Sequence, residues 1–452
     1  MSGADSAVIG APPVARPTFG EATAVWLRIG LLSFGGPAGQ IALMHRVLVE
    51  ERGWIDERRF LHALNFCMLL PGPEAMQLAT YVGWLLHGVR GGIVAGALFV
   101  LPGVVVMLGL SVAYAAFGDA PIAEGILFGL KAAVLAIVAE ALLRLSRRAL
   151  ASNLMVGVAV AAFLGIAFLR LPFPLIVAAA GLFGLIAARV APAALGQTGA
   201  SGPDIDPPAA AGTASRVRSS IVAVLVWGGL WFVPIALLAA LLGAGHVFVR
   251  EALFFSQTAV VTFGGAYAVL AYVAQQAVEV YHWLRPDEML TGLGLAETTP
   301  GPLILVLVFV GFLGGMRGAT GIDPYLAGII GGLVTVWVTF IPCFLWIFLG
   351  APWIEKLRGN RSLAGALSAI TAAVVGVIDN LGLWFGLHVL FAENADQSFG
   401  PLTVLVPDPR TFDLAAALIA TAAAVALMRF HVGMLSVLGV AAAAGLAVRL
   451  AA

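Results

Sequence analysis

Residues 34–73 have the sequence FGGPAGQIALMHRVLVEERGWIDERRFLHALNFCMLLPGP, and residues 263–302 have the sequence FGGAYAVLAYVAQQAVEVYHWLRPDEMLTGLGLAETTPGP. A gapless shift of 229 positions aligns the Phe-Gly-Gly triplets, Trp54 with Trp283, and the Pro-Gly-Pro triplets. Chance does not readily keep these Gly, Trp and Pro pairs aligned over such a length. The chain therefore contains an internal duplication.

Composition indicates a membrane protein. The chain is 61% hydrophobic and only 11% charged, whereas about a quarter of the residues in a soluble domain are charged. Several apolar runs reach the roughly 18–20 residues that cross a bilayer core; examples are Ile93–Phe117, Ile126–Leu143, Ile221–Leu242 and Leu326–Leu349. The net charge is zero, so no basic surface suggests a nucleic-acid partner. The predicted fold class is an all-α polytopic protein of the lipid bilayer.

The apolar segments divide the chain into five parts. They are a disordered cytoplasmic tail (1–18), a first repeat (19–190), a flexible cytoplasmic linker (191–220), one connecting transmembrane helix (221–243) and a second repeat (250–452). Each repeat has about six apolar helical elements. The single extra span between them predicts that the second repeat is inverted relative to the membrane.

Arginine placement favours this inverted topology. The segment 45–59 contains four Arg, whereas the equivalent segment 276–288 contains only Arg285. Cytoplasmic loops are enriched in Lys and Arg, so the first segment is predicted inside and the second outside, with the C-terminus outside. Re-entrant hairpins at the Gly-Gly and Pro-Gly-Pro elements fit this topology best. The sequence leaves the number of full membrane crossings open between about nine and thirteen.

Interrupted hydrophobic segments at matching positions predict a transport site near the membrane midplane. A broken helix exposes partly positive N–H groups at the start of its second half, where Pro73 and Pro302 would sit as first helical residues, aimed at one another. The glycines would let an anion approach the backbone. Candidate substrate-binding residues are therefore Gly35, Gly36, Pro71, Gly72, Pro73, Gly264, Gly265, Pro300, Gly301 and Pro302. The alternative is an ordinary proline kink in each spanning helix.

Lys131 lies in the middle of an apolar span, and the neutral Thr371 occupies the equivalent position of the second repeat. Charges within a membrane are costly and are usually functional. Lys131 is therefore a further candidate for binding an anion. The alternatives are an ion pair with Glu140 or Asp379, or a side chain that extends to the membrane surface.

Two carboxylates flank the predicted breaks. Glu297 precedes the second Pro-Gly-Pro triplet and Glu74 directly follows the first, so both are candidates for proton coupling. For Glu74, stabilisation of a helix N-terminus is the favoured alternative. Thr298 and Thr299, next to Glu297, would add hydroxyl donors to the substrate site.

The sequence predicts neither a metal site nor a cofactor. Cys67 and Cys343 are too few and too far apart for a disulfide framework or a metal cluster, and we expect Cys67 to pack away from the site. An enzyme would need a nucleophile–base pair or metal ligands within the membrane, and neither is evident. We therefore expect no enzymatic activity, with an intramembrane enzyme or a structural membrane subunit as alternatives from other classes.

The paired motifs resemble those of the chromate ion transporter family. They are Phe34-Gly35-Gly36-Pro37, Trp54 and Pro71-Gly72-Pro73 in the first repeat, and Phe263-Gly264-Gly265, Trp283 and Glu297–Pro302 in the second. The resemblance covers nearly the whole chain outside the tail and linker. Where the family often has His, this chain has Gln40, which cannot titrate.

The resemblance implies a two-domain, multi-pass secondary transporter of the bacterial inner membrane. Its substrate would be chromate, exported from the cytoplasm by the membrane potential or the proton gradient. Sulfate has the same shape and charge, so a sulfate or general oxyanion carrier is the nearest alternative. The oligomeric state is open, and a homodimer is one option.

Overall fold

The computed structural model describes residues 17–190, 213–263, 266–353, 360–400 and 402–451. Most of the predicted tail and linker, together with Gly264 and Gly265, lies outside these residues. Helices make up nearly all of the described chain, and its one sheet is a two-stranded hairpin. Seven described helices are long and apolar enough to cross a bilayer. The predicted all-α polytopic fold class is confirmed.

The helices of the first repeat are α1 (Phe19–Leu32), α2 (Gly36–His45), α3 (Glu57–Cys67), α4 (Glu74–Phe117), α5 (Pro121–Ala149), α6 (Asn153–Ala167) and α7 (Phe173–Val190). Helix α4 consists of two helical segments that meet at a kink, where His87 and Gly88 have non-helical backbone angles. The connecting helix α8 (Thr213–Leu242) begins within the predicted linker. The apolar run of this helix starts at Ile221, but the polar residues from Thr213 onwards are already helical.

The second repeat contains α9 (Val247–Val261), α10 (Ala266–Gln275), α11 (Pro286–Glu297), α12 (Val306–Gly318), α13 (Pro324–Gly350), α14 (Arg361–Leu390), β1 (Asn394–Phe399), β2 (Leu402–Pro407), α15 (Leu414–Met428) and α16 (Met434–Ala451). The two strands pair antiparallel, from Asn394 with Pro407 to Phe399 with Leu402. Both repeats are broken at the predicted places. Pro73 and Pro302 lie just before a helical turn rather than at its first residue.

Equivalent residues of the two repeats have equivalent backbone structure. A π-helical turn follows both α2 and α10. After it, the Trp54 N–H donates to the Leu48 carbonyl and the Trp283 N–H donates to the Ala277 carbonyl, each at 2.8 Å. The residue before each tryptophan has a positive φ, +59° at Gly53 and +53° at His282. The duplication therefore extends to local backbone conformation.

Each Phe-Gly-Gly hairpin returns to the end of the molecule where it began. In the first repeat, Arg52, which follows α2, forms an ion pair of 3.0 Å with Glu21 in the first turn of α1. In the second, the Phe254 ring of α9 lies 5.8 Å from the Trp283 ring that follows α10. A re-entrant hairpin requires this geometry, because its two ends must share one side.

The long helices pack between the repeats. Helix α14 of the second repeat packs against α6 and α7 of the first, and α5 packs against α15 and α16. Small residues permit this close approach: a Cβ at Gly376 would lie 2.0 Å from the Ala159 carbonyl oxygen, and one at Gly129 would lie 1.9 Å from that of Ala441. The two repeats therefore share one core.

Candidate transport site

The central feature of the molecule is a pair of hydrogen bonds that we call the crossing contacts. The Gly72 N–H donates to the Thr262 carbonyl, and the Gly301 N–H donates to the Ser33 carbonyl, each at 2.8 Å. The two bonds are equivalent under the shift of 229 positions. Each Pro-Gly-Pro break therefore lies against the other repeat's Phe-Gly-Gly break. The glycines have φ values of +120° and +91°, which side-chain-bearing residues rarely adopt.

The prediction placed the two Pro-Gly-Pro breaks opposite each other, with glycines that let an anion approach the backbone. The N–H groups of Gly72 and Gly301 are already hydrogen-bonded to the opposite repeat. The first hydrogen bond of α4 runs from the Gln77 N–H to the Pro73 carbonyl. The N–H groups of Glu74, Ala75 and Met76 therefore lack partners within their helix, as first-turn N–H groups do.

Two buried glutamines support the breaks. The Gln77 side-chain amide donates to the Pro71 carbonyl, and that of Gln40 donates to the Gly301 carbonyl, both at 2.6 Å. Their Oε1 atoms have no hydrogen-bond partner among the described residues. The sequence drew attention to Gln40 only because it cannot titrate. Its observed contact joins residues 261 positions apart, which no local pattern reveals.

A cavity of about 520 Å³, here called the break cavity, opens beside the first break. Its lining includes Cys67, Gly72, Glu74, Arg148, Phe263 and Thr371. Helix α4 directs its N-terminus towards this region, α5 supplies Arg148 from its last turn, and α14 supplies Thr371 from the second repeat. The cavity thus combines one helix N-terminus, one cation and one carboxyl group.

Arg148 was not among the predicted site residues, because it lies beyond the apolar run 126–143. Helix α5 continues to Ala149, beyond the apolar run that ends at Leu143, and so carries Arg148 to the cavity. The guanidinium also contacts the Met68 sulfur at 3.3 Å. In the second repeat, the register that aligns Lys131 with Thr371 places His388 opposite Arg148, and His388 lines a second cavity.

The second cavity, the hairpin cavity, has a volume of about 580 Å³ and lies at the opposite ends of α6, α10 and α14. Residues of the β1–β2 hairpin line it, and the Thr403 N–H donates to the Phe168 carbonyl at 3.0 Å. Arg170 contacts Asp396 at 2.5 Å and Glu279 at 4.0 Å. Burial raises the pKa of Glu279, and the positive charge of Arg170 opposes that rise.

Lys131 is not brought to the breaks. Its ammonium group lies 3.5 Å from an Asp287 carboxylate oxygen in the first turn of α11. Helix α11 reaches the second break only at Glu297, about 15 Å further along its axis. The two predicted partners were wrong: Glu140 pairs with Arg144 instead, and Asp287 takes the place assigned to Glu140 or Asp379.

Glu297 lies at the second break and is buried. Its Oε1 atom accepts a hydrogen bond of 2.5 Å from the Tyr267 hydroxyl of α10. The neighbouring Thr298 and Thr299 hydroxyls donate to the Leu295 and Ala296 carbonyls at the end of α11. These hydroxyls are therefore engaged, contrary to the expectation that they are available donors.

The remaining predicted residues lie around the breaks. Gly35 and Gly36 have φ values of +90° and +70°, and a Cβ at either position would meet no atom within 4 Å. Pro71 and Gly72 are the repeat equivalents of Pro300 and Gly301, and the two glycine N–H groups make the crossing contacts.

Both cysteines lie close to the first break. Cys67 lines the break cavity, and the Cys343 sulfur would lie 3.0 Å from a Cβ at Gly72. Cys67 is fully buried although it lines this cavity, and its packing away from the substrate stays a prediction.

Comparisons with known proteins agree with this architecture. The family model described as "Chromate transporter" matches residues 20–185 and 249–446, which together make up most of the chain. The chromate transport protein of Pseudomonas aeruginosa is 30% identical over 81% of this chain and 80% of its own length. That of Cupriavidus metallidurans is 28% identical over 78% of this chain and 79% of its own length.

A probable chromate transport protein of Synechococcus elongatus is 29% identical over 79% of this chain and 82% of its own length. No solved structure matches the chain. With seven long apolar helices, the chain is a multi-pass protein of the inner membrane. The match over both repeats shows that it belongs to the chromate transporter family.

Proposed function

We propose that this chain exports chromate from the cytoplasm as a secondary active transporter, with the break cavity as its entry site. The observation that carries this proposal is the break cavity itself, which places Arg148 and the N-terminus of α4 together at the first break. Relatives named as chromate transport proteins support the choice of substrate. The same names favour a transporter over an enzyme.

The chemistry of the break cavity suits a tetrahedral dianion. Chromate is a dianion, and the N-terminus of α4, where Gly72 and Glu74 line the cavity, offers it a partial positive charge, as helix N-termini commonly do for anions. Arg148 adds a full positive charge beside it. These groups would not enclose the ion completely. An open site suits a carrier, because a carrier must also release its substrate.

Proton coupling would use the two carboxyl groups near the breaks. Glu74 shares the break cavity with Arg148, which makes it the candidate at the first break. Glu297, hydrogen-bonded to Tyr267, is the second candidate at the other break. Proton uptake by either group as chromate leaves would couple export to the proton gradient.

The glycines and prolines of both breaks complete the proposed site. The crossing contacts hold each Pro-Gly-Pro break against the opposite repeat, so a movement of one repeat against the other would reshape both breaks at once. Lys131 is not part of this site, because it pairs with Asp287 at the far end of α11.

Uptake into inverted membrane vesicles tests the proposal. With radiolabelled chromate, we expect saturable uptake that depends on a proton gradient and that excess sulfate inhibits if sulfate is also a substrate. Arg148→Ala should raise the KM for chromate at least tenfold, roughly the effect of losing 1.4 kcal/mol of binding. Arg147→Ala is the matched control, since this neighbouring exposed arginine does not line the cavity.

Two results would contradict the proposal. Equal KM values for the Arg148 and Arg147 variants would remove the break cavity from the transport path. Sulfate uptake without any chromate uptake would replace chromate by sulfate as the substrate.

A further inference from the structure

Glu251 is a fully buried carboxyl group that the proposed chromate site does not use. It lies in the second turn of α9, and neither of its carboxylate oxygens has a hydrogen-bond partner among the described residues. Two glycines make room for it: a Cβ at Gly314 would lie 2.6 Å from Oε1, and one at Gly331 would lie 3.0 Å from Oε2. Its surroundings are therefore the backbones of α12 and α13.

Among the described side chains of the elements packed against α9, none offers a charge to balance Glu251. Helix α13 contains no charged residue, and the Tyr267 and Tyr272 phenols are the titratable groups of α10. The one charged residue of α12, Arg317, donates to Glu288 at 2.6 and 2.7 Å. In α8 the charged residues stand near its start, at Arg216 and Arg218, and Arg250 of α9 itself is exposed. An isolated carboxylate in such a place is very costly, so the group is held in its protonated form.

Two buried threonine hydroxyls continue from Glu251 along α13. Thr335 and Thr339 follow Gly331 at successive helical turns, and neither hydroxyl has a partner among the described residues. This is unusual, because helical threonines commonly donate to the carbonyl four residues earlier, as Thr371 does to Leu367.

The same turns of α13 lead to the first break. Cys343 comes one turn after Thr339, and its sulfur faces Gly72. The run from Gly331 to Cys343 spans twelve residues, or about 18 Å of helix. The Thr335 and Thr339 positions are about 6 Å apart along the axis, which is beyond direct hydrogen-bond reach, so a path along this row requires bridging waters.

We propose that Glu251 is a proton-carrying group, and that the Thr335 and Thr339 hydroxyls pass its proton, through bridging waters, to the Glu74 carboxylate at the first break. Each hydroxyl accepts a proton on its oxygen and releases its own hydrogen to the next water, so no atom is gained or lost. At the equivalent position the first repeat has Ala22, so only the second repeat carries this path. The inference rests on the proposed function in one respect, that transport is driven by protons.

The protonation of Glu251 can be tested without measuring transport. Dicyclohexylcarbodiimide modifies protonated carboxyl groups in apolar surroundings, and peptide mass spectrometry locates the product. We expect modification of Glu251 that decreases as the pH rises. Glu288, equally buried but bonded to Arg317, is the internal control and should stay unmodified. Infrared spectra should also show a protonated-carboxyl C=O band that Glu251→Gln removes. The absence of both signals would overturn the proposal.

Transport measurements then test the path itself. In inverted vesicles, Glu251→Gln and the double variant Thr335→Val, Thr339→Val should lose pH-driven chromate uptake at least tenfold more than they lose chromate exchange at equal pH. Thr258→Val is the matched control, because this buried hydroxyl already donates to the Phe255 carbonyl. Equal losses in both assays would refute the proton path. Wild-type vesicles without chromate exchange would instead refute the proposed function, while the carbodiimide result would stand.

Discussion

Lys131 and Asp287 join α5 to the first turn of α11, across the boundary between the two repeats. The lysine side chain is 24% exposed and the aspartate 50% exposed, and Asp287 also contacts Arg285 at 3.3 Å. Partly exposed pairs of this kind contribute little to stability, because water screens the charges and can replace either partner. At the scale of the residue, the ion pair is a local link between helices.

We therefore expect Lys131→Ala to retain chromate transport and to reduce the free energy of unfolding by only about 1 kcal/mol or less. The physical reason is that Asp287 keeps Arg285 and water as partners after the change. Thermal unfolding in detergent and the KM for chromate are the two measurements. A well-folded variant that no longer transports would show that Lys131 binds the substrate after all.

At the scale of the element, the β1–β2 hairpin covers the hairpin cavity, and Arg170 connects it to the turn after α10 through Asp396 and Glu279. Arg170 itself has a φ of +48°, a conformation that costs a side-chain-bearing residue free energy. The ion pairs of Arg170 therefore offset the strain of its backbone. The burial of the ionised Glu279 carboxylate, in contrast, costs free energy of folding.

A pH-dependent gain in stability should follow from Glu279→Gln. A carboxyl group whose pKa is raised by folding stabilises the protein below its ordinary pKa of 4.5 and loses that contribution as the pH rises through the raised value. The variant should therefore unfold at a higher temperature than the wild type at pH 7. This advantage should disappear as the pH falls to the ordinary pKa.

Thermal scans across this pH range measure the effect, with Glu393→Gln, at an exposed carboxylate of the same region, as the control. Destabilisation of Glu279→Gln at pH 7 would mean that the charge of Arg170 outweighs burial.

The helix breaks were predictable from the sequence because Gly and Pro act on their own backbone, and the duplication placed them twice. Side-chain partners were not predictable in the same way. The crossing contacts and the Gln40–Gly301 hydrogen bond join distant parts of the chain. Lys131 pairs with Asp287 in the first turn of α11 and not with a carboxylate of another apolar span. Arg148 was missed because helix α5 extends beyond its apolar run.

At the scale of the whole molecule, the two repeats are similar in backbone but differ in packing. Helix α10 is buried and packs against α14. Helix α2 is less buried: Gln40 and Met44 are its buried residues, and Ala38, Gly39 and Ala42 are exposed. The molecule therefore combines a near-symmetric chain with an asymmetric arrangement of its two Phe-Gly-Gly hairpins.

Inversion of the second repeat predicts opposite accessibility for the segments 45–59 and 276–288. With a membrane-impermeant maleimide, Arg58→Cys should be labelled only in inverted vesicles, and His282→Cys only in intact cells. Both positions are exposed, whereas the native Cys67 and Cys343 are buried, so the wild type supplies a low background. Labelling of both new cysteines from one side would rule out the inverted topology.

The crossing contacts constrain how this chain could have arisen. A single ancestral copy folded alone would leave its Pro-Gly-Pro N–H and the carbonyl before its Phe-Gly-Gly triplet unpaired inside the bilayer, where each such group costs several kcal/mol. Two ancestral molecules inserted in opposite orientations would satisfy both groups. The predicted inversion requires an odd number of crossings between the copies, and α8 lies at that place in the chain.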